Sequence, residues 1–177
     1  LDKPFIVLAT QNPIEQDGTY PLPEAQQDRF LMKVKIEYPT KEEEKNILKL
    51  LTSAQDFDSI EIEEILNKNK IEELKKLIKE IYLDEKLMDY ILDIIFKTRE
   101  NNEYISCGAS PRASIALVVS AKANAFLEGR DFVIPQDIKK VIFDVLRHRI
   151  ILTYEAEAEG KNVEDIITNI MESVELP

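Results

Sequence analysis

Glycine is scarce in this chain. The four present, Gly18, Gly108, Gly129 and Gly160, cannot form a phosphate-cradling G-x-x-x-x-G-K-[ST] loop. Gly160-Lys161 is followed by Asn162 and has no upstream partner glycine. The backbone cradle and lysine that grip a triphosphate are therefore absent from these residues. A single cysteine, Cys107, excludes an intrachain disulfide, and no C-x-x-C or His/Cys cluster suggests zinc. One histidine, His148, excludes a multi-histidine site. No run approaches the ~18 apolar residues of a membrane span. Basic residues are outnumbered 23 to 34, and the resulting net charge of −11 repels phosphate backbones, which disfavours nucleic acid as a partner. The opening Leu1-Asp2-Lys3-Pro4 carries neither an initiator Met nor a signal peptide, so the expectation is a soluble cytoplasmic protein cut at its N-terminal side.

What is present divides into two parts. Phe5–Thr10, FIVLAT, is a continuous apolar run rich in β-branched residues, the pattern of a strand buried on both faces. Asn12-Pro13 halts it, a polar loop with Gly18, Pro21 and Pro23 follows, and a short helix is predicted at about Glu24–Phe30. Leu31–Tyr38 alternates Met32/Val34/Ile36/Tyr38 against Lys33/Lys35/Glu37, which predicts a second strand. Thr40-x-x-Glu43 is then a capping box opening a helix through about Leu51. From there the pattern is helical. Asn69, Asp84, Ser110-Pro111 and Pro135 mark four further starts, and a last helix spans about Val163–Val174. Gly129 should end the Ser110 helix, in which Ala116, Leu117 and Ala123 are expected to help form the core. Ile81-Tyr82-Leu83-Asp84-Glu85 imitates a magnesium-binding strand, but Ile78 and Ile81 continue a helical stripe and Asp84 is better used as a cap. The fold class expected is mainly α: a helical domain over 39–177, preceded by a two-strand α/β remnant over 1–38.

Three residues could carry chemistry. Asn12 lies just past a buried strand, where α/β sheets place their ligand crevice, and a carboxamide there can orient a water or contact a phosphate. The same dipeptide also makes an ordinary Asn-Pro turn. Arg29, near the end of the short helix, could reach a neighbouring subunit's nucleotide, yet the helix dipole alone also favours arginine there. Arg112 falls at about the second position of the Ser110 helix, where dipole and free N–H groups disfavour a cation. A bound anion would resolve that conflict; a side chain turned to solvent is the other reading. Arg147-His148-Arg149 closes a helix and reads as a cap for its last carbonyls, with His148 structural.

Together ATQNPIEQDGTYPLPEAQQDRF, YPTKEEE, GASPRA and VLRHRI closely resemble the MoxR family of AAA+ ATPases, over about Phe5–Pro177 with the motifs in order. The resemblance implies that Asn12 is the sensor 1 residue, Arg29 the trans-acting arginine finger and Arg112 the nucleotide-contacting sensor 2 residue of the lid. It makes residues 1–38 the end of the AAA+ core and 39–177 the lid. It further implies a hexameric ring that hydrolyses ATP with Mg, chaperone-like remodelling of a client protein, and partners with von Willebrand factor A domains. The missing phosphate loop and magnesium-binding strand put the chain in the C-terminal portion of such an enzyme, inactive alone. The alternatives are a magnesium chelatase-like or MCM-like motor of the same clade, or a non-catalytic helical adaptor. Without the strand that would lie between them, FIVLAT and LMKVKIEY are expected to leave the family arrangement, pairing with another copy or folding onto the lid.

Overall fold

The computed structural model describes residues 4–11, 22–52, 63–100 and 102–177. Asn12 lies outside them. The described residues form α1 (Glu24–Gln27), α2 (Lys41–Thr52), α3 (Lys68–Glu80), α4 (Glu85–Lys97), β1 (Ile105–Cys107), α5 (Pro111–Leu127), α6 (Pro135–Leu146), β2 (Ile151–Leu152), α7 (Tyr154–Ala158) and α8 (Val163–Ser173). The mainly helical class is the one the sequence implied. Among the described residues no helix is long and apolar enough to cross a membrane.

Local chemistry sets most of the boundaries. Thr40 and Glu43 form the expected box before α2: the Glu43 amide donates to Thr40 Oγ1 at 3.3 Å, and the Thr40 amide to Glu43 Oε2 at 2.7 Å. Asp84 caps α4 by accepting the Lys86 amide at 2.9 Å. α3 begins earlier than the Asn69 start, because Asn67 accepts the Lys70 amide and caps a helix that already includes Asn69. α5 ends in a Schellman turn. Gly129 adopts φ +74°, its amide bonds the Phe126 carbonyl, and the Arg130 amide reaches Ala125 O at 2.9 Å. Gly160 closes α7 in the same way.

The core lies among α4, α5, α6 and α8. α4 contributes Leu87, Tyr90, Ile91, Ile94 and Ile95, the i, i+3, i+4 spacing of one buried stripe. α5 buries Ala113, Ala116, Leu117, Ser120, Ala121 and Ala125; these small residues let its neighbours approach, and it packs chiefly on α6. Ala123 is only half-buried, so Ala121 and Ala125 take the core positions expected of it. α8 closes the bundle with Ile166, Ile167 and Ile170. Each fully buried Leu or Ile contributes about 1.5–3 kcal/mol.

Two expectations are corrected. Neither Phe5–Thr10 nor Leu31–Tyr38 is a strand; the only sheet among the described residues is the antiparallel pair of β1 and β2, where Ile105 faces Leu152 and Cys107 faces Ile151. A strand requires a neighbour to take its amides and carbonyls, and neither segment has one among the described residues. The apolar side chains of Phe5–Leu8 are accordingly exposed. β1, β2 and α7 escaped the sequence reading because each is five residues or shorter and carries no periodicity.

Candidate functional site

Gly108 fixes where α5 begins. A Cβ added there would lie 2.3 Å from the Thr98 carbonyl oxygen, so only glycine lets the chain run this close to the end of α4. Thr98 Oγ1 accepts the Ala109 amide at 3.0 Å and donates to the Ile95 carbonyl at 2.7 Å. Arg99 Nε donates to the Ala109 carbonyl at 2.7 Å. These bonds pin Ser110, which caps α5 by accepting the Arg112 amide at 3.2 Å.

The anion that the position of Arg112 called for is supplied by the chain itself. Arg112 Nη1 donates to Asp28 Oδ2 at 3.0 Å, and Ser110 Oγ donates to both Asp28 oxygens at 2.9 Å. Arg149 Nε donates to Asp28 Oδ1 at 3.1 Å. Burial pushes the Asp28 carboxyl up, but the bonds from Ser110, Arg112 and Arg149, with the Arg149 charge, outweigh it and hold it below the ordinary aspartate range. Arg112 is thus paired within the chain, yet 59% of its side chain remains exposed. Its uncommitted donors can take a second anion.

Asp28, Arg29, Arg112 and Arg149 line a cleft of about 170 Å³ with Leu31, Ile115, Ala116 and Val119. Arg29 is exposed on its rim and has no ion-pair partner among the described residues. The structure therefore brings Arg29 and Arg112 to one cleft. Arg112 and Arg149 share the Asp28 carboxylate, and Arg29 lines the same cleft beside its apolar walls.

Arg147-His148-Arg149 does more than cap α6. Arg149 does bond the Val145 carbonyl of the last turn, but its other bonds reach back to Asp28, Phe30 and Leu31, while Arg147 pairs with Asp144 and Glu164. His148 Nε2 lies 3.2 Å from the Phe30 carbonyl, which can only accept, so Nε2 carries the proton. Its Nδ1 is buried with no partner among the described residues. Burial first, then the Arg149 charge, pull His148 from 6.5 to about 4 despite the Phe30 bond. Asp28 and Arg149 were not singled out as partners from sequence. A signal was available: Arg149 continues the Val145/Leu146 edge of the α6 stripe, and an arginine on a buried face requires an acid.

Comparison with known proteins gives a consistent set of similarities. A family profile described as the AAA lid domain matches residues 97–170. A second, described as an ATPase family associated with various cellular activities (AAA), matches residues 1–32. The chain is 40% identical to Chaperone MoxR1 of Mycobacterium tuberculosis, covering 100% of this chain and 48% of that protein. It is 41% identical to the YeaC protein of Bacillus subtilis, covering 100% of this chain and 54% of that one. Protein MoxR of Methylorubrum extorquens is 29% identical over 97% of this chain and 55% of its own length. A crystal structure described as a candidate ATPase from Cytophaga hutchinsonii superposes with a TM-score of 0.91 at 44% identity, covering 100% of this chain and 56% of that chain. The chain spans about half the length of the curated relatives it matches.

Proposed function

The chain belongs to the MoxR family of AAA+ ATPases, and on that premise we propose that it provides the nucleotide-sensing and lid half of such a motor. Residues 1–38 end the core and 39–177 form the lid. Arg112 is the sensor 2 residue that contacts the nucleotide, Arg29 the finger offered to a neighbouring subunit, and Asn12 the sensor 1 residue. One observation carries this reading: Arg112 and Arg29, 83 positions apart in sequence numbering, line one cleft together. The incompletely used donors of Arg112 and its place at the head of α5 fit a phosphate oxygen.

Magnesium-bound ATP, when present, supplies the phosphoanhydride bond whose hydrolysis powers the motor. The residues of this chain would bind and orient. Arg112 exchanges part of its contact with Asp28 for contact with a phosphate, and α5 carries that exchange into the lid through Ala116 and Leu117. Arg29 stabilises charge on the phosphoryl group in the adjoining site. Within this proposal the assembly is a cytoplasmic hexamer that remodels a client protein with von Willebrand factor A domain partners, and the chain alone hydrolyses no ATP.

The test is Arg112→Ala in the complete ATPase. ATP turnover should fall, or part from client remodelling, while the lid's melting transition stays in place. Unchanged turnover together with unchanged remodelling would overturn the assignment.

A further inference from the structure

α1 has only four residues and buries none of them, so it cannot hold Arg29 in one pose by itself. The pose is held from the lid. Arg149, whose side chain is 2% exposed, donates Nη2 to the Asp28 carbonyl at 3.1 Å and also to the Phe30 carbonyl. Its Nη1 donates to the Leu31 carbonyl at 3.2 Å and to Val145, and its Nε takes the Asp28 carboxylate. Arg147 Nη1 donates to the Lys33 carbonyl, His148 Nε2 to that of Phe30, and the Lys33 amide returns a bond to the Asp144 carbonyl at 2.8 Å. The carbonyls on both sides of Arg29 are thus gripped by three consecutive residues at the end of α6, while its own side chain remains exposed.

A buried guanidinium is costly unless its donors are satisfied, and an apolar residue of similar volume would often stabilise the fold as well. What an apolar residue could not do is read backbone carbonyls in a fixed fork. We propose that Arg149 is a positioning residue that sets the placement of Arg29 from the lid, with Arg147 and His148 assisting. The inference rests on the assignment of Arg29 as the finger. It deepens that assignment, because Asp28 bonds Arg112 and Arg149 at once. A change at Arg112 in one subunit's cleft is then felt by the segment that presents Arg29 to the next.

Two measurements test it. Trypsin cuts after arginine, and the grip on Asp28, Phe30 and Leu31 should protect the Arg29–Phe30 bond. In this chain Arg149→Met should speed that cut by about tenfold or more, since cleavage follows the open population. Arg149→Lys should fall between, and cuts within α3 should keep their rate. Should Arg149→Met fail to fold, Asp28→Asn/Arg149→Met leaves no buried unpaired charge and serves in its place. In the complete ATPase, Arg149→Met should lower kcat with KM for ATP unchanged. An Arg29–Phe30 bond as protected as in the unsubstituted chain, or an unchanged kcat, would overturn the positioning role. If Arg29→Ala itself leaves hydrolysis unchanged, the finger assignment falls, and this proposal with it. A loss with Arg29→Ala and none with Arg149→Met would overturn the positioning role alone.

Discussion

Residues 5–8 and the isoleucines of residues 91–95 are both strongly apolar in sequence and opposite in fate. Ile6 and Leu8 are 79% and 83% exposed, while Ile91, Ile94 and Ile95 are fully buried. Between these extremes lies 28–33, where Met32 packs on the core, Phe30 is half-buried and Leu31 is exposed, and where polar partners add the rest of the attachment. The difference teaches that hydrophobicity marks surfaces meant for burial, while specific polar partners decide what is attached to what. The lid is held by packing. Residues 28–33 are held largely through their main-chain carbonyls.

Truncation should separate the two regions most sharply. Leu117→Ala, in the packed face of α5, should cost about 2–5 kcal/mol in urea unfolding. Leu8→Ala should stay within about 0.5 kcal/mol. Equal losses would break the contrast. Charge removal gives the next largest effect. Asp28→Ala strands Arg149 and should cost about 2–3 kcal/mol, below the usual range for a buried pair because Asp28 keeps some exposure. Lys35→Ala breaks an ion pair to Glu164 that is 60% and 36% exposed at its two ends, and should cost at most about 0.5 kcal/mol.

The smallest effect is that of pH. His148 is neutral in the fold and ionises more readily when unfolded, so the unfolded chain binds the extra proton between 6.5 and about 4. Its contribution is full above that window and is lost as pH falls through it. The charges of Arg149 and Lys33 oppose protonation of the ring, while the Phe30 bond and Asp28 favour it. His148→Gln, which can still donate to Phe30, should flatten the fall in melting temperature between pH 7 and pH 4.5. Asp28, with its lowered value, keeps its contribution across that window and loses it only at more acid pH. An identical slope in the variant would remove His148 from the account.

The lid was legible because its signals are local and repeated. Asp84 and Ser110-Pro111 open the helices expected of them, the last helix begins at Val163, and Ile138, Val141, Ile142, Val145 and Leu146 of the Pro135 helix are buried on one stripe. The two strands were misread because FIVLAT and LMKVKIEY have strand composition without a neighbour to pair with. At the site, Arg112 was legible as an electrostatic conflict at a helix start. Its partner Asp28 was not, because 84 residues separate them and no pattern links them in sequence. The grip of Arg149 was still harder to see, because its targets are main-chain carbonyls and any sequence carries those.

Amide hydrogen exchange at Lys33 tests most directly whether residues 28–33 fold as part of the lid. Its N–H bonds the Asp144 carbonyl at the end of α6, whereas the amides of residues 5–10 have no backbone partner among the described residues. The account predicts slow exchange at Lys33, approaching that of Ile94 and Ile95, with fast exchange at Ile6–Leu8, and loss of the Lys33 protection in Arg149→Met. Exchange at Lys33 as fast as at Ile6–Leu8 in the unsubstituted chain would contradict it.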